Sequence, residues 1–419
     1  MSARTGIEWC DATWQVASGC SPVSGGCRNC YSARLAHTRL KHLPQLAGLT
    51  ECTSRGVPFF NGAIRLHPAR LIDPLRWSTP KRIFVGDRTD LFHPSIPDGY
   101  IDQVFAVMAL CPQHLFLLLT KRPKRMREYI GEMKPWSPRV NSIREAVAAF
   151  QAFAADKTRG ISFPLPNVWL GTSVEDQATA DERIPSLLAT PAAGRFISAE
   201  PLLGPIDIQR WIESCHAARS DGECIAPSCP QLRDGEPARS GRHCPIDDWD
   251  TVDEWEAPPK LDWVIVGGES GPGARPMHPA WVRSIRDQCA AAGIPLFFKQ
   301  WGEWNTAAFN LATNQRVFRQ FLSFEQWVNK APTWIQGGVC LDNTGRVCSS
   351  GADFERARDE NTFPITVMHR VGKSSAGRCL DGITHDALPP LPISSPLAGE
   401  VATPKLRRSE GRAGEGDRR

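Results

Sequence analysis

No apolar run in this chain approaches the roughly 20 residues that a membrane-spanning helix requires, so no transmembrane segment is expected. The opening stretch, MSARTGIEWCDATW, carries no apolar core of the secretory-leader kind, and the expected location is therefore the cytoplasm. Neither sign of charge dominates: Lys and Arg number 49 against 45 Asp and Glu, a formal surplus of +4. That balance does not by itself argue for nucleic acid. Tyrosine is scarce, 3 residues against 14 Trp, and the Trp excess points first to core packing. A hydrophobic content of 41% suffices for a full core, and 419 residues fit two or three average domains or one large barrel with insertions.

Cysteine is plentiful, with 14 in the chain. In a reducing compartment, clustered cysteines are metal ligands before they are disulfides. Cys20, Cys27 and Cys30 stand at C-x6-C-x2-C within CSPVSGGCRNCY, and Gly19, Gly25 and Gly26 let the backbone wrap tightly there. No fourth cysteine follows at similar spacing. A closed zinc site wants four ligands, whereas a three-ligand site leaves a position open. The CxxC bite serves zinc and iron–sulfur clusters alike, and for zinc His37 or Cys52 offers a fourth ligand. A second group, Cys215, Cys224, Cys229 and Cys244 with His216 and His243, lacks the paired knuckles of a zinc ribbon. It reads as a small zinc site or equally as reduced surface thiols.

Eight short apolar segments read as strands: about Thr13–Ala17, Ala63–Leu66, Ile83–Val85, His114–Thr120, Asn167–Gly171, Arg195–Ser198, Asp262–Val266 and Ile294–Phe298. Helical patterns alternate with them at Tyr31–Leu40, Pro68–Trp77, Asp98–Leu110, Pro123–Tyr129, Asp176–Ala189 and His278–Ala292, with a further helix at Ser142–Ala155. The alternation predicts an α/β fold with parallel strands, a (β/α)8 or partial TIM-type barrel, with an open doubly wound sheet as the alternative. The expected organisation is a barrel over residues 1–301 with insertions at 131–165 and 205–260, a small α/β appendage over 302–388, and a disordered tail over 389–419. The GKS of residues 372–374 lacks the upstream Gly of a phosphate loop.

Polar residues cluster just after the strands, where a barrel of this kind builds its active site. Asp87, Asp90, Gly267, Gly268 and Glu269 are candidates for binding a cofactor, and Glu200 and Lys299 for acid–base catalysis. Lys121 and Arg122 could meet an anion. Helix capping and a solvated rim account for many such residues equally well.

Several blocks carry a family resemblance. GIEWCDATWQVASGCSPVSGGCRNCYSARLA resembles the opening of a phage- and prophage-associated three-cysteine-motif family, and RIFVGDRTDLFH, FISAEPLLGPID, DWVIVGGESGPGARPMHPAWV, FFKQWG and RVGKSSAGRCLDG resemble its later blocks, over roughly residues 6–388. That family in turn resembles radical S-adenosylmethionine (SAM) enzymes whose last cluster cysteine precedes a Tyr and a helix, here Cys30-Tyr31. Their pattern is C-x3-C-x2-C; the first spacing is longer here, and Asn29 stands where an aromatic residue usually precedes the third cysteine. The resemblance implies a [4Fe–4S] cluster on Cys20, Cys27 and Cys30, with SAM on the open iron and cleavage to a 5′-deoxyadenosyl radical. It also implies a three-cysteine-motif partner protein and, through the Cys-Tyr likeness to DNA-photoproduct repair enzymes, nucleic acid as substrate. The alternative is a metal-stabilised binding protein, with zinc or a cluster, that acts with a partner and without turnover.

Overall fold

A computed structural model describes residues 5–153, 161–212, 219–220, 223–224, 259–309, 316–318, 320–330 and 338–392. Seven strands form the main sheet: β1 Ala12–Trp14, β2 Arg82–Val85, β3 Leu115–Thr120, β4 Val168–Ser173, β5 Gly194–Ala199, β6 Trp263–Gly267 and β7 Leu296–Gln300. They pair in sequence order and every pair is parallel. Helices α1 Tyr31–His37, α2 Asp98–Ala109, α3 Pro123–Gly131, α4 Pro138–Phe150, α5 Gln177–Leu188 and α6 Pro279–Ala291 flank the sheet. The sheet curls into a half-barrel: β1 pairs only with β2, and β7 only with β6, among the main-sheet strands. The closed (β/α)8 expectation is thereby corrected to a partial barrel. Strand order never reverses, so there is no switch point of the doubly wound kind.

The missing eighth strand has a local cause. Of Ala63–Leu66 only Arg65–Leu66 is extended, and it pairs antiparallel with Ala17–Ser18, outside the main sheet. The helix expected at Pro68–Trp77 is instead two 3-10 turns, Pro68–Arg70 and Pro74–Arg76, because Pro74 has no N–H to continue a helix. The other helices start on recognisable signals. Pro occupies the first position of α3, α4 and α6, and Asp176 caps α5 in a capping box with Thr179.

The strands are near-continuous apolar runs because both faces are covered. On β6, Val264 and Val266 point to the helices, while Trp263 and Ile265 point into the half-barrel. The interior cluster gathers Phe84, Leu117, Phe196, Trp263 and Phe297, with the Trp9 ring tilted against Phe84 at a centroid separation of 4.7 Å.

The C-terminal segment closes this interior at the amino ends of the strands. Asp386 bridges antiparallel to Phe297, and Phe298 donates its N–H to the His385 carbonyl at 2.8 Å. Trp263 Nε1 then donates to the Ala387 carbonyl and Arg82 Nε to that of Pro389, each at 2.8 Å. Leu388 and Leu391 pack on the interior cluster. Residues 389–392 of the expected tail belong to this described segment, and the rest of the tail lies outside the described residues.

Between the half-barrel and this strap lies the appendage. It is an antiparallel sheet centred on Ile365–Arg370, with its own core of Phe321, Phe354, Ile365 and Val367. Trp304 Nε1 fastens it to the Ala274 carbonyl at 2.7 Å. Helix α4, within the first insertion, packs on α2, where Arg139 bonds Asp98 and the buried Asp102. In the second insertion Cys215, Cys229 and Cys244 lie outside the described residues, and of Cys224 only its short backbone strand Glu223–Cys224 is described. Among the described residues no helix is long and apolar enough to cross a membrane.

Trp263 is wholly buried at the centre of the interior cluster. Trp263→Ala is expected to cost about 3–5 kcal/mol, read as a lower urea midpoint with an unchanged slope. A loss under about 1 kcal/mol would mean that the half-barrel interior is not a packed core.

Candidate functional site

The carboxyl ends of the strands enclose a cavity of about 250 Å³, lined by residues at or just beyond the ends of β2 to β7 and by the loop that follows β1. Cys20, Cys27 and Cys30 all border this cavity, on the loop between β1 and α1. The same cavity is bordered by Asp87, Asp90, Glu200, Gly268, Glu269 and Lys299, so the sequence-predicted residues converge apart from Gly267, which sits one residue behind the wall.

The loop is tied to the strand ends at several residues. Gly19 has φ +100°, and a Cβ there would lie 2.0 Å from the Ala63 carbonyl oxygen, so only glycine fits. Ser21 accepts from Arg122 Nη2 through both its carbonyl (3.0 Å) and its hydroxyl (2.8 Å), and Arg122 is held in turn by Asp90 at 2.9 Å. Ser24 donates to Glu175 at 2.9 Å; Glu175 also binds Lys121, and Arg183 at 3.1 Å. The Gly25 carbonyl accepts from Arg275 Nη2 at 3.0 Å. Asn29 Nδ2 donates to Glu269 Oε2 (3.0 Å) and to the Gly273 carbonyl (2.7 Å), and Glu269 pairs with Arg275 at 2.6 Å. The stretch between Cys20 and Cys27 is therefore held by partners for Ser21, Ser24 and Gly25, and Asn29 serves as a clamp just before Cys30.

The sulfurs meet donors. Backbone N–H groups of Val23 and Ala33 point at Cys27 Sγ and Cys30 Sγ, each at 3.5 Å, and Arg122 Nη1 reaches Cys20 Sγ at 3.7 Å. Burial pushes the Cys20 thiol up to about 12, with Asp90 adding to the rise and Arg122 opposing it. Burial also raises Cys30, and the Ala33 N–H opposes it. Cys27 contributes to both shifts, so the three thiols lie within electrostatic reach of one another. Among the described residues no three His, Cys, Asp or Glu side chains form a group that could hold a metal ion. The thiols border a shared cavity rather than a preformed single-ion site. His37 and Cys52, the outside ligands a zinc site would recruit, pair with each other at 3.3 Å and do not line the cavity.

The opposite wall is charged. Lys299 Nζ sits 3.1 Å from Glu200 Oε1, and Ser198 Oγ donates to Glu200 Oε2 at 3.1 Å. Burial opposes the Lys299 ammonium, but Glu200, Glu8 and Cys10 outweigh it, and the ammonium is held above its ordinary range. A Cβ on Gly267 would lie 2.5 Å from Glu200 Oε1, and one on Gly268 2.1 Å from the Trp301 carbonyl oxygen. These two glycines thus let Glu200 and β7 approach; the oxygens of Asp90 and Glu269 are engaged by protein donors. Asp87 differs. Its Oδ1 is buried without a partner, and burial raises its carboxyl despite the neighbouring Arg88. Trp9 Nε1, Ser32 Oγ, Thr89 Oγ1 and Gln300 Oε1, all on cavity-lining residues, are likewise buried and unpartnered. Buried polar atoms are normally satisfied, so five unpartnered ones on the residues of one cavity wall set this region apart.

Sequence reasoning missed the clamps. Glu175 was visible as a strand-end carboxylate, but Arg275 lies in a loop with no period, and Asn29 and Trp9 carried no signal beyond their place beside cysteines. Tyr31, 45% exposed as a residue, has its hydroxyl end enclosed near Asp87, Cys30 and Glu200, which raises the phenol.

The geometry defines a class: an open, parallel (β/α) half-barrel with a thiol-bordered, polar cavity at its strand carboxyl ends. Residues 4–389 match the family described as protein of unknown function (DUF5131), and the chain belongs to it. Neither the curated proteins nor the solved structures contain a match to it.

Burial opposes ionisation of Glu269, but bonds from Arg275 and Asn29 prevail and hold its carboxyl below the ordinary value of 4.5. A depressed carboxyl stabilises the fold above that ordinary value, and the stabilisation is lost as pH falls through the folded pKa. Wild type should exceed Glu269→Gln by about 1–3 kcal/mol at neutral pH, with the gap closing below about pH 4. Chemical denaturation across pH checks it; a gap that does not vary with pH would contradict an ionised clamp.

Proposed function

We propose that the protein is a radical-SAM-type enzyme in which Cys20, Cys27 and Cys30 hold a [4Fe–4S] cluster and the adjoining cavity admits S-adenosylmethionine. The observation that carries this reading is positional. The three thiols hang from the first strand–helix loop at the carboxyl end of a partial parallel barrel, facing the same cavity as Lys299–Glu200 and the unpartnered polar atoms. The donor set fits: three soft sulfur ligands, N–H groups aimed at two of them, and an arginine at the third. When bound, the cluster and SAM supply reductive C–S cleavage to a 5′-deoxyadenosyl radical.

The chain's own residues would shape and enclose that chemistry. Arg122 and the two N–H donors set the electrostatics at the sulfurs. Asp87, Thr89, Ser32 and Trp9 line the cavity and each keeps a polar atom without a protein partner, so a small side-chain rotation would turn those atoms toward a polar cofactor or substrate. Lys299 and Glu200 can hold or move a proton between Nζ and Oε1 on the far wall. The aromatic floor of Trp9 and Phe84 keeps that side dry. The family resemblance extends the proposal to nucleic acid as substrate and to a three-cysteine-motif partner. A metal serving only as a fold staple is less favoured, because the loop is already anchored to the ends of β2, β4 and β6 by protein groups.

Anaerobic iron–sulfide reconstitution tests the proposal. Wild type should take up about four irons with broad visible absorption, and reduction with SAM should yield 5′-deoxyadenosine. Cys27→Ala should lose both. One zinc per chain, no iron uptake and no SAM cleavage would overturn it.

A further inference from the structure

Between Asp11 and Asp73 the chain holds seven Lys or Arg and one carboxylate, Glu51. That is a surplus of six positive charges in a chain whose whole surplus is four, so the near-balance of the total conceals a strong asymmetry. The one carboxylate faces Asn61, whose Nδ2 donates to it at 3.2 Å. Arg28, Arg39, Lys41 and Arg55 are exposed, with no ion-pair partner among the described residues. Around the cavity, in contrast, Lys121, Arg122, Arg275 and Lys299 are all paired with carboxylates.

The basic stretch is also a structural unit. Helix α1 packs on the hairpin of Thr50–Cys52 and Pro58–Phe60, around a small core of Ala33, Ala36, Leu46, Leu49 and Phe60 that rests on Cys20 and Cys30. Its outer surface carries the unpaired cations. Its inner side presents Phe59, Phe60 and Tyr31 to the cavity, Tyr31 being 45% exposed at the rim. Exposed unpaired cations on the same small lobe as the cavity-lining rings of Tyr31 and Phe59 offer the two kinds of contact that single-stranded nucleic acid uses, phosphates on one and bases on the other. An acidic polypeptide would match the charge but not the rings.

We propose that this lobe is a docking surface for a nucleic-acid strand, with phosphates over Arg28, Arg39, Lys41 and Arg55 and a base against Tyr31 and Phe59 at the cavity mouth. The docking itself needs no metal; only its alignment with the cavity rests on the proposed function. Binding is read without turnover, so the two proposals can fail separately.

The experiment is fluorescence anisotropy of a labelled 20-nucleotide single strand with the full chain, titrated over a range of salt concentrations. Affinity should fall with salt by about 0.7 log units per log unit for each phosphate contact. Arg39→Glu/Lys41→Glu/Arg55→Glu should weaken binding tenfold or more and reduce the salt slope by about 2. The triple Gln variant should give the same slope change if the Glu variant folds poorly. Tyr31→Ala should weaken binding with the slope unchanged, the signature of stacking rather than charge. The proposal is overturned if no binding occurs at about 50 mM salt, if the triple variants keep the wild-type slope, or if polyglutamate displaces the strand at equal charge, which would assign the lobe to an acidic polypeptide.

Discussion

Three buried carboxylates hold the cysteine loop, and the rest of the site follows from them. Asp90 extends from the end of β2, Glu175 from β4 and Glu269 from β6, and each meets a cation: Arg122, Arg183 with Lys121, and Arg275. Buried charge is costly unless paired and hydrogen-bonded, so each pair tolerates little displacement. The loop residues Ser21, Ser24, Gly25 and Asn29 take up donor and acceptor positions left over on these pairs. The loop is thereby fixed to alternate strands of the sheet, and the curl of the sheet decides where its thiols lie. A loop held by capping and turn chemistry alone would have no reason to face inward.

The clamps also divide the strand-end residues by task. Asp90 and Glu269 are spent on positioning, whereas Asp87, three residues before Asp90, keeps an unpartnered oxygen. Glu200 and Lys299 form a pair on the far wall, touching the loop only through the cavity between them. The division matches the general arrangement of barrel enzymes, in which strand ends supply both scaffold and chemistry to one mouth.

Much of this was legible in the residues. Apolar runs such as LFLLLT and DWVIV announced parallel strands covered on both faces, and β6 and β7 formed close to the expected positions. The convergence of strand-end residues followed from fold class alone. Ala63–Leu66 reads as a barrel strand, yet only Arg65–Leu66 is extended and it pairs outside the main sheet, because so short an apolar segment does not reveal which strand it will pair with; pairing is a tertiary choice. The clamps were hidden for a related reason. Asn29 and Glu269 are 240 residues apart, and no local period connects an amide in one loop with a carboxylate in another. The strap over residues 385–391 was hidden by its composition, which is Pro-rich and resembles a linker, although Leu388 and Leu391 are the side chains that seal the interior.

The strap also bears on how the protein is made. The contact between Arg82 and Pro389 spans 307 residues. During synthesis the loop with the three cysteines emerges within the first tenth of the chain, while the segment that covers Trp9, Phe196 and Trp263 from below emerges near its end. From the emergence of β7 at Gln300 until that of the strap at His385, the curled sheet therefore exposes an aromatic hollow to solvent, the kind of transient surface that chaperones bind and that aggregates when left uncovered. The half-barrel is completed by residues 385–391 rather than by an eighth strand, which makes a short stretch remote from the cavity the final determinant of a finished molecule.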